Sequence, residues 1–257
     1  MKPRTLTVTR YVTPLREGGS MPAVVEADDQ GLYVLKFRGA GQGARALVAE
    51  WIAGGIARAL ALPVPEIVFA ELDPGLARTE PDPEIQDLIR ASAGLNLALD
   101  YLPGAVNFDP VATPVDPQLA SRIVWFDAYV SNVDRTPRNP NLLMWHRRLY
   151  LIDHGAALYF HHGWDGSVES AGNPFAKIAE HVLLPAADAL EAADAEAVGR
   201  LDREVLAGIV AEVPDAWLQG PDAFATPAVQ REAYVDYLVR RLDLHRNFVD
   251  EALRARA

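Results

Sequence analysis

The sequence predicts an α+β protein in two parts: a β-rich N-lobe over residues 1–102 and a mainly helical C-lobe over residues 103–257. Three observations carry this prediction. Short β-rich runs bounded by turn residues crowd the first part. Apolar residues recur at helical spacing in the second part. Between them lies PGAVNFDPVATPVDP, a proline-rich run read as a connector, and the lobe boundary is set at its start.

Each element follows in order. Leu6 to Val12 alternates in character and reads as a strand. Pro22 to Phe37 reads as a hairpin, with AVVEA and LYVLKF flanking the turn residues Asp28 to Gly31. After the loop RGAGQGA, a helix is predicted over Ala44 to Ala61, with Leu47, Trp51, Ile52, Ile56 and Leu60 near helical spacing and Pro63 and Pro65 as its stop. Ile67 to Leu72 and Asn96 to Tyr101 read as strands, and the Pro- and acid-rich stretch Asp73 to Glu84 as a loop. From Gln118 the texture turns helical, with the stripe Leu119, Ile123, Phe126 and Val130. A hairpin follows, with arms NLLMW and LYLID and a turn at His146 to Arg148. A loop is expected from Phe160 through Asn173, then helices, ending in one long helix from about Pro227 to Ala255.

Composition narrows the function. The 257 residues suffice for one large domain or two lobes sharing a cleft, and a hydrophobic fraction of 50% is that of an ordinary globular chain. A formal net charge of -11 argues against direct nucleic-acid binding and against an anionic membrane surface. A phosphate ligand would need a metal ion to offset that repulsion. There are no cysteines, which excludes disulfides, thiolate catalysis and Cys-type zinc sites. The opening MKPRTLTVTRYVTP has no apolar core of a secretory signal, and no apolar run approaches a membrane span. The expectation is a soluble, cytoplasmic protein.

The chemistry concentrates in DRTPRNPNLLMWHRRLYLIDHG, from Asp134 to Gly155. Asp134 and Asn139 form Asp-x-x-x-x-Asn, and the following hairpin returns the chain toward its start, bringing Asp153 beside them. An Asn oxygen and one carboxylate can then hold Mg²⁺, a hard cation that prefers oxygen ligands. The other carboxylate stays free to orient or deprotonate a hydroxyl, the division of labour that phosphoryl transfer needs. Asp, Asn and Pro also populate ordinary turns, so the motif alone is weak. Its place after an amphipathic helix and before a strand pair ending in Asp-x-Gly strengthens it. Upstream, Lys36 interrupts the apolar strand LYVLKF and asks for a partner, unless its head reaches solvent. Glu50 borders the buried face of the next helix, beside Trp51, although a solvated helix glutamate is the commoner case.

The order glycine loop, strand lysine, helix glutamate, connector, Asp-x-x-x-x-Asn, hairpin, Asp-x-Gly resembles the protein-kinase-like fold. The segments ADDQGLYVLKFRGAGQGARALVAE, NVDRTPRNPNLL and LYLIDHGAALYF are most similar to HipA-like kinases, relatives of the phosphatidylinositol kinases, from about residue 12 onward. The Asp134-Arg135 pair is like the Asp-Arg-His of the lipid kinases. The resemblance implies an ATP- and Mg²⁺-dependent phosphotransferase acting on a protein serine or threonine. Asp134 would be the catalytic base or orient the hydroxyl, and Asn139 and Asp153 would ligate Mg²⁺. Lys36 would contact the α- and β-phosphates, positioned by Glu50. Asp100, Tyr101 and Leu102 would present backbone groups to adenine. Gly18, Gly19 and Ser20 would cover the phosphates, with Ser20 the nearest candidate for the phosphorylated serine that HipA-like kinases can carry. The family includes toxins with antitoxin partners, so a regulatory or antitoxin partner is also implied.

This chain departs from common kinase patterns. Asn132 stands where many kinases carry His, His154 follows Asp153 in place of Phe, and the GGSMP stretch lacks the G-x-G-x-x-G pattern. A nucleotide-binding pseudokinase that regulates a partner, and a small-molecule kinase, therefore stay open. Other features read more blandly. His161 and His162 invite a metal reading, but adjacent histidines on a strand would face opposite ways and no third ligand is evident. Arg240-Arg241, Arg254 and Arg256 read as a solvated helix face with a C-terminal charge bias. Gly39, Gly41 and Gly43 read as a flexible turn with a secondary phosphate contact open to their amides.

Overall fold

A computed structural model describes residues 3–15, 21–41, 43–218 and 224–257. The first part holds β1 (Thr5–Pro14), β2 (Ala23–Ala27), β3 (Leu32–Lys36), α1 (Ala44–Ala59), β4 (Ile67–Leu72), α2 (Pro83–Ala91) and β5 (Gly94–Asp100). The second holds β6 (Val106–Asn107), α3 (Pro117–Tyr129), β7 (Leu142–Trp145), β8 (Arg148–Leu151), α4 (Leu190–Arg200), α5 (Arg203–Ala211), α6 (Pro227–Asp243) and α7 (Arg246–Arg256). The expected α+β class and the strand-rich, then helical, order are what the chain adopts.

The five strands of the first part close into a barrel in the order β1-β2-β3-β5-β4, with β1 and β4 completing it in parallel. Strand parity then decides where Lys36 goes. Tyr33 and Leu35 point into the barrel core with Val25, Val68 and Ala98. The alternate residues of β3, Val34 and Lys36, must take the opposite face, and they line a cleft there. On β4 and β5 the same alternation sends Ile67, Phe69, Leu97 and Leu99 into a second core, shared with α1 and the helices of the C-lobe.

Helix α1 is held from two sides. A Cβ on Gly54 would lie 2.2 Å from Ile67 Cδ1, and one on Gly55 would lie 2.6 Å from Ile209 Cγ2 of α5. Only glycine lets β4 and α5 approach so closely. Trp51 Nε1 donates to the Ile209 carbonyl at 3.1 Å, and the Trp51 ring packs on Phe69, which meets Trp217 edge-on at 5.4 Å.

The structure corrects several expectations. Asp73 to Glu84 is not loop throughout: a 3₁₀ turn over Pro74–Thr79 is followed by α2, whose start is fixed by the Asp82 cap and Pro83. The acidic, proline-rich composition hid the stripe Ile85, Leu88, Ile89. The connector after residue 102 contributes β6, whose Val106 pairs with Met144 of β7. Two residues are too few to show alternation. The long terminal helix is two helices, broken at Leu244 and His245, where His245 Nδ1 meets the buried Asp194 at 2.8 Å. Within the expected loop after Phe160, His161 ends a 3₁₀ turn, Tyr159–His161. The hairpin turn is His146 and Arg147 alone, with φ of 48° and 62°. Two successive left-handed residues make a type I′ turn, where Asn-Gly is usual. Each non-glycine residue costs roughly 1 kcal/mol in that region.

Arg241 is the largest reversal. Arg240 stays exposed, but Arg241 is 1% exposed and points into the C-lobe. Its guanidinium donates to the carbonyls of Tyr129 (2.6 Å) and Ala128 (2.7 Å), at the C-terminus of α3, and to Ala171 (2.9 Å) and Asn173 (3.0 Å). The last carbonyls of a helix lack internal partners, and here a buried cation satisfies two of them. Phe248 packs against the same guanidinium at 4.9 Å. Arg241→Met should lower the stability measured by urea unfolding by about 3 kcal/mol or more, because it strands buried carbonyls. A loss below about 1 kcal/mol would show that α3 does not depend on this clamp.

Candidate active site

The loop after α3 is built around a buried carboxylate. Asp127, fully buried in the last turn of α3, accepts from Asn132 Nδ2 (2.8 Å), Arg135 Nε (2.6 Å) and His181 Nε2 (2.9 Å). His181 Nδ1 accepts the Leu183 amide, so the ring proton sits on Nε2 and points at Asp127. Burial alone would raise the Asp127 carboxyl. The Arg135 charge and the His181 hydrogen bond reverse that and hold it well below the usual carboxylate range. Arg135 Nη1 reaches the carbonyls of Asn141 and Ile152, one on each arm of the hairpin. The hairpin's ends are thereby tied to the same charge.

Asp134 stands on this loop, and its amide donates to Asn132 Oδ1 at 3.2 Å. Asn139 Nδ2 donates to Asp134 Oδ2 at 2.8 Å, and Asn141 Nδ2 to the same oxygen at 3.3 Å. Asn132, in the place of the usual His, thus ties the Asp134 backbone to Asp127. Asp153 follows β8 with a left-handed φ of 55°, an unusual backbone for an aspartate. Its Oδ1 meets Lys36 Nζ at 2.7 Å.

Lys36 Nζ also lies 3.9 Å from Glu50 Oε2, and Glu50 Oε1 meets His154 Nδ1 at 3.1 Å. A carboxylate only accepts, so His154 donates from Nδ1. His154 is fully buried, edge-on to Phe126 of α3 at 5.7 Å. It therefore bridges α1 to the C-lobe. Burial would raise the Glu50 carboxyl, but Lys36 and His154 bring it down to about 2. For Lys36, burial lowers the ammonium's pKa, and Glu50, Asp153 and Asp134 raise it to a net upward shift.

Lys36, Glu50, Asp134, Asn139 and Asp153 all line one cleft of about 1150 Å³, together with Asp100, Tyr101 and Leu102. The amides of Asp100 and Tyr101 are already bonded to the Glu66 and Leu32 carbonyls. Their N–H groups are therefore not open to a ligand, which leaves carbonyls and Leu102 for any adenine contact. Val34 and Pro22 above, with Leu142 and Ile152 below, give the cleft apolar walls. Gly18, Gly19 and Ser20 lie outside the described residues. Gly41 reaches the cleft; Gly39 donates instead to Ser92 Oγ at 3.0 Å.

The oxygen donors fit Mg²⁺. Asn139 commits its Nδ2 to Asp134, which leaves its amide oxygen free, and with the Asp153 carboxylate it could hold such a cation. Among the described residues, no cluster of three or more His, Cys, Asp and Glu side chains is arranged for a metal. His161 instead meets the Tyr234 hydroxyl at 3.0 Å, and burial lowers its pKa to about 3. Asp127, His181, Asn141 and the bridging role of His154 are functional features that the local sequence pattern does not single out. One signal was present: an acid inside the otherwise apolar run IVWFDAYV demands a partner.

A closed strand barrel over a helical lobe, with a lysine and two acids facing each other across the cleft, is the protein-kinase fold. Residues 8–249 match the family described as HipA-like kinase, and the chain belongs to that family. A crystal structure of the Helicobacter pylori proinflammatory kinase CtkA superposes with a TM-score of 0.53 at 14% identity, covering 98% of this chain and 97% of that one. The Golgi casein kinase with Mn/ADP bound gives 0.51 at 10% identity over 98% and 74% of the two chains. A second Golgi casein kinase structure gives 0.51 at 10% identity, over 100% and 76%. At these identities the likeness is one of fold. No curated protein sequence matches the chain. Among the described residues no helix is long and apolar enough to cross a membrane.

The Glu50 environment has a measurable consequence. Its folded pKa of about 2 lies below the ordinary 4.5, so the unfolded chain binds more protons between those values. Stability from this group is complete above about pH 5 and is lost as pH falls toward 2. Between pH 6 and pH 3, wild type should lose roughly 2 kcal/mol more than Glu50→Gln in urea unfolding. Equal losses in the two proteins would contradict the buried pairing of Glu50 with Lys36 and His154.

Proposed function

We propose that this chain is an ATP- and Mg²⁺-dependent kinase that phosphorylates a serine or threonine hydroxyl of a protein. The observation that carries the reading is the convergence of Lys36, Glu50, Asp134, Asn139 and Asp153 on one cleft. Membership of the HipA-like kinase family supports it, and a structural relative described with Mn and ADP supports a nucleotide with a divalent metal. Residues 1–102 and 103–257 serve as the two lobes of one catalytic unit.

In this reading the adenine lies between the apolar walls near Leu102, and Lys36 holds phosphate oxygens while Glu50 and His154 keep its ammonium in place. Asn139 and Asp153 would hold Mg²⁺, which when bound would supply positive charge that offsets the phosphates. Two amide donors fix one oxygen of Asp134, so the carboxylate presents its other oxygen in a set direction. That oxygen orients the acceptor hydroxyl and takes its proton as the hydroxyl oxygen bonds to the γ-phosphorus. The bond from that phosphorus to the bridging oxygen breaks, and ADP leaves. Catalysis is then mainly positioning and charge.

Purified protein with radiolabelled ATP and Mg²⁺ should label itself or a protein acceptor. Asp134→Asn should cut the rate about 10²- to 10⁴-fold, and Asp153→Ala and chelation of divalent metal should abolish it. Equal labelling by wild type and both variants would refute the assignment. Thermal stabilisation by nucleotide without turnover would make the chain a binding module, and transfer only to metabolites would make it a small-molecule kinase.

A further inference from the structure

A second groove, of about 570 Å³, lies away from the nucleotide cleft and is lined by Pro63, Val115, Leu119, Met144, Arg147 and Arg148, among others. We propose that it docks an acidic, leucine-bearing segment of a partner protein. Three observations point there.

The first is charge. Arg147 and Arg148 are exposed, and among the described residues neither guanidinium has an ion-pair partner. Arg122, on the same groove, is already committed to the Leu60 carbonyl and to Glu196 at 3.5 Å. Asp116 also lines the groove, with Oδ1 accepting the Leu119 amide at 2.9 Å; Arg147 and Arg148 outnumber it and leave the patch net positive on a chain of net charge -11.

The second is backbone strain. His146 and Arg147 occupy the two left-handed positions of the hairpin turn, with φ of 48° and 62°. Asn-Gly would satisfy the turn without that strain. Non-glycine side chains held at two strained positions point to a use for them.

The third is apolar surface. Pro63, Val115, Leu119 and Met144 line the groove, and Val106, opposite Met144 on β6, is 62% exposed. A nucleic acid would meet the arginines but leave this surface uncovered. An acidic peptide with apolar residues would satisfy both, so the partner is a protein segment.

The same hairpin reaches the nucleotide cleft at its other end through Leu142, Leu143 and Ile152. A docked partner would therefore be tethered near that cleft. Docking itself requires no nucleotide, so it can be tested apart from phosphoryl transfer.

The probe is a fluorescein-labelled twelve-residue peptide alternating glutamate pairs with leucine, titrated with full-length protein by fluorescence anisotropy. Arg147→Glu with Arg148→Glu should weaken binding at least tenfold, and Arg78→Glu, on the distant 3₁₀ turn, should leave it unchanged. His146→Asn with Arg147→Gly should raise the melting temperature yet weaken binding several-fold, which separates loss of docking from loss of folding. The proposal is overturned if wild type does not bind the peptide or if the Arg147/Arg148 variant binds it equally. It is also overturned if a glutamine version of the peptide binds as well, or a twelve-nucleotide single strand binds more tightly. Sedimentation showing wild-type dimers that the Arg147/Arg148 variant dissolves would assign the groove to a second copy instead.

Discussion

A single carboxylate without access to water, Asp127, sets the geometry of this protein's cleft. A buried charge is costly unless it is fully partnered, and Asp127 draws its partners from separate segments: Asn132 and Arg135 in the loop, His181 beyond the hairpin. Arg135 passes the constraint on to the carbonyls of Asn141 and Ile152. The spacing between the loop bearing Asp134 and the strand end bearing Asp153 is thus fixed by one ion pair. Such pairs contribute little net stability compared with well-packed apolar residues. Their value here is orientation. A hydrophobic core could support this loop, but nothing in its packing would specify where two carboxylates point.

A second constraint couples the lobes. Glu50 reaches Lys36 on one side and His154 on the other, and His154 leans on Phe126 of α3. The residue after Asp153 therefore touches both the helix of one lobe and the core of the other. Arg241 anchors α3 from behind. From α3 the contact runs through the aromatic edge of Phe126 to His154 and then through buried polar joints to Glu50 and Lys36, where a displacement would leave a buried group unpaired.

The sequence made much of this legible where a strong local pattern coincided with the tertiary outcome. β4 is legible at its observed bounds because IVFAEL is short, apolar and lies between Pro65 and Asp73. The hairpin arms followed from their composition, and their return brings Asp153 into the same cleft as Asp134 and Asn139. What escaped were elements whose signal is not periodic. β6 has only two residues, and α2 hides behind its acidic flank. Arg241 reads as surface because nothing local announces that four carbonyls wait for it across the fold. Asp127 and His181 are separated by 54 residues and become partners only in three dimensions. Long-range satisfaction of buried polar groups is the part of the site that a one-dimensional pattern does not encode.

The packing around α1 bears on how compounds could discriminate among proteins of this shape. Trp51 and Phe69, with Trp217 against Phe69 and Ile209 against Gly55, fill the space behind the helix from both lobes. An inhibitor that gains selectivity by wedging this helix outward would find no room to enter. The outer edge of the cleft, where Arg138 and Asn107 add polar side chains to the lining, offers the more accessible handle.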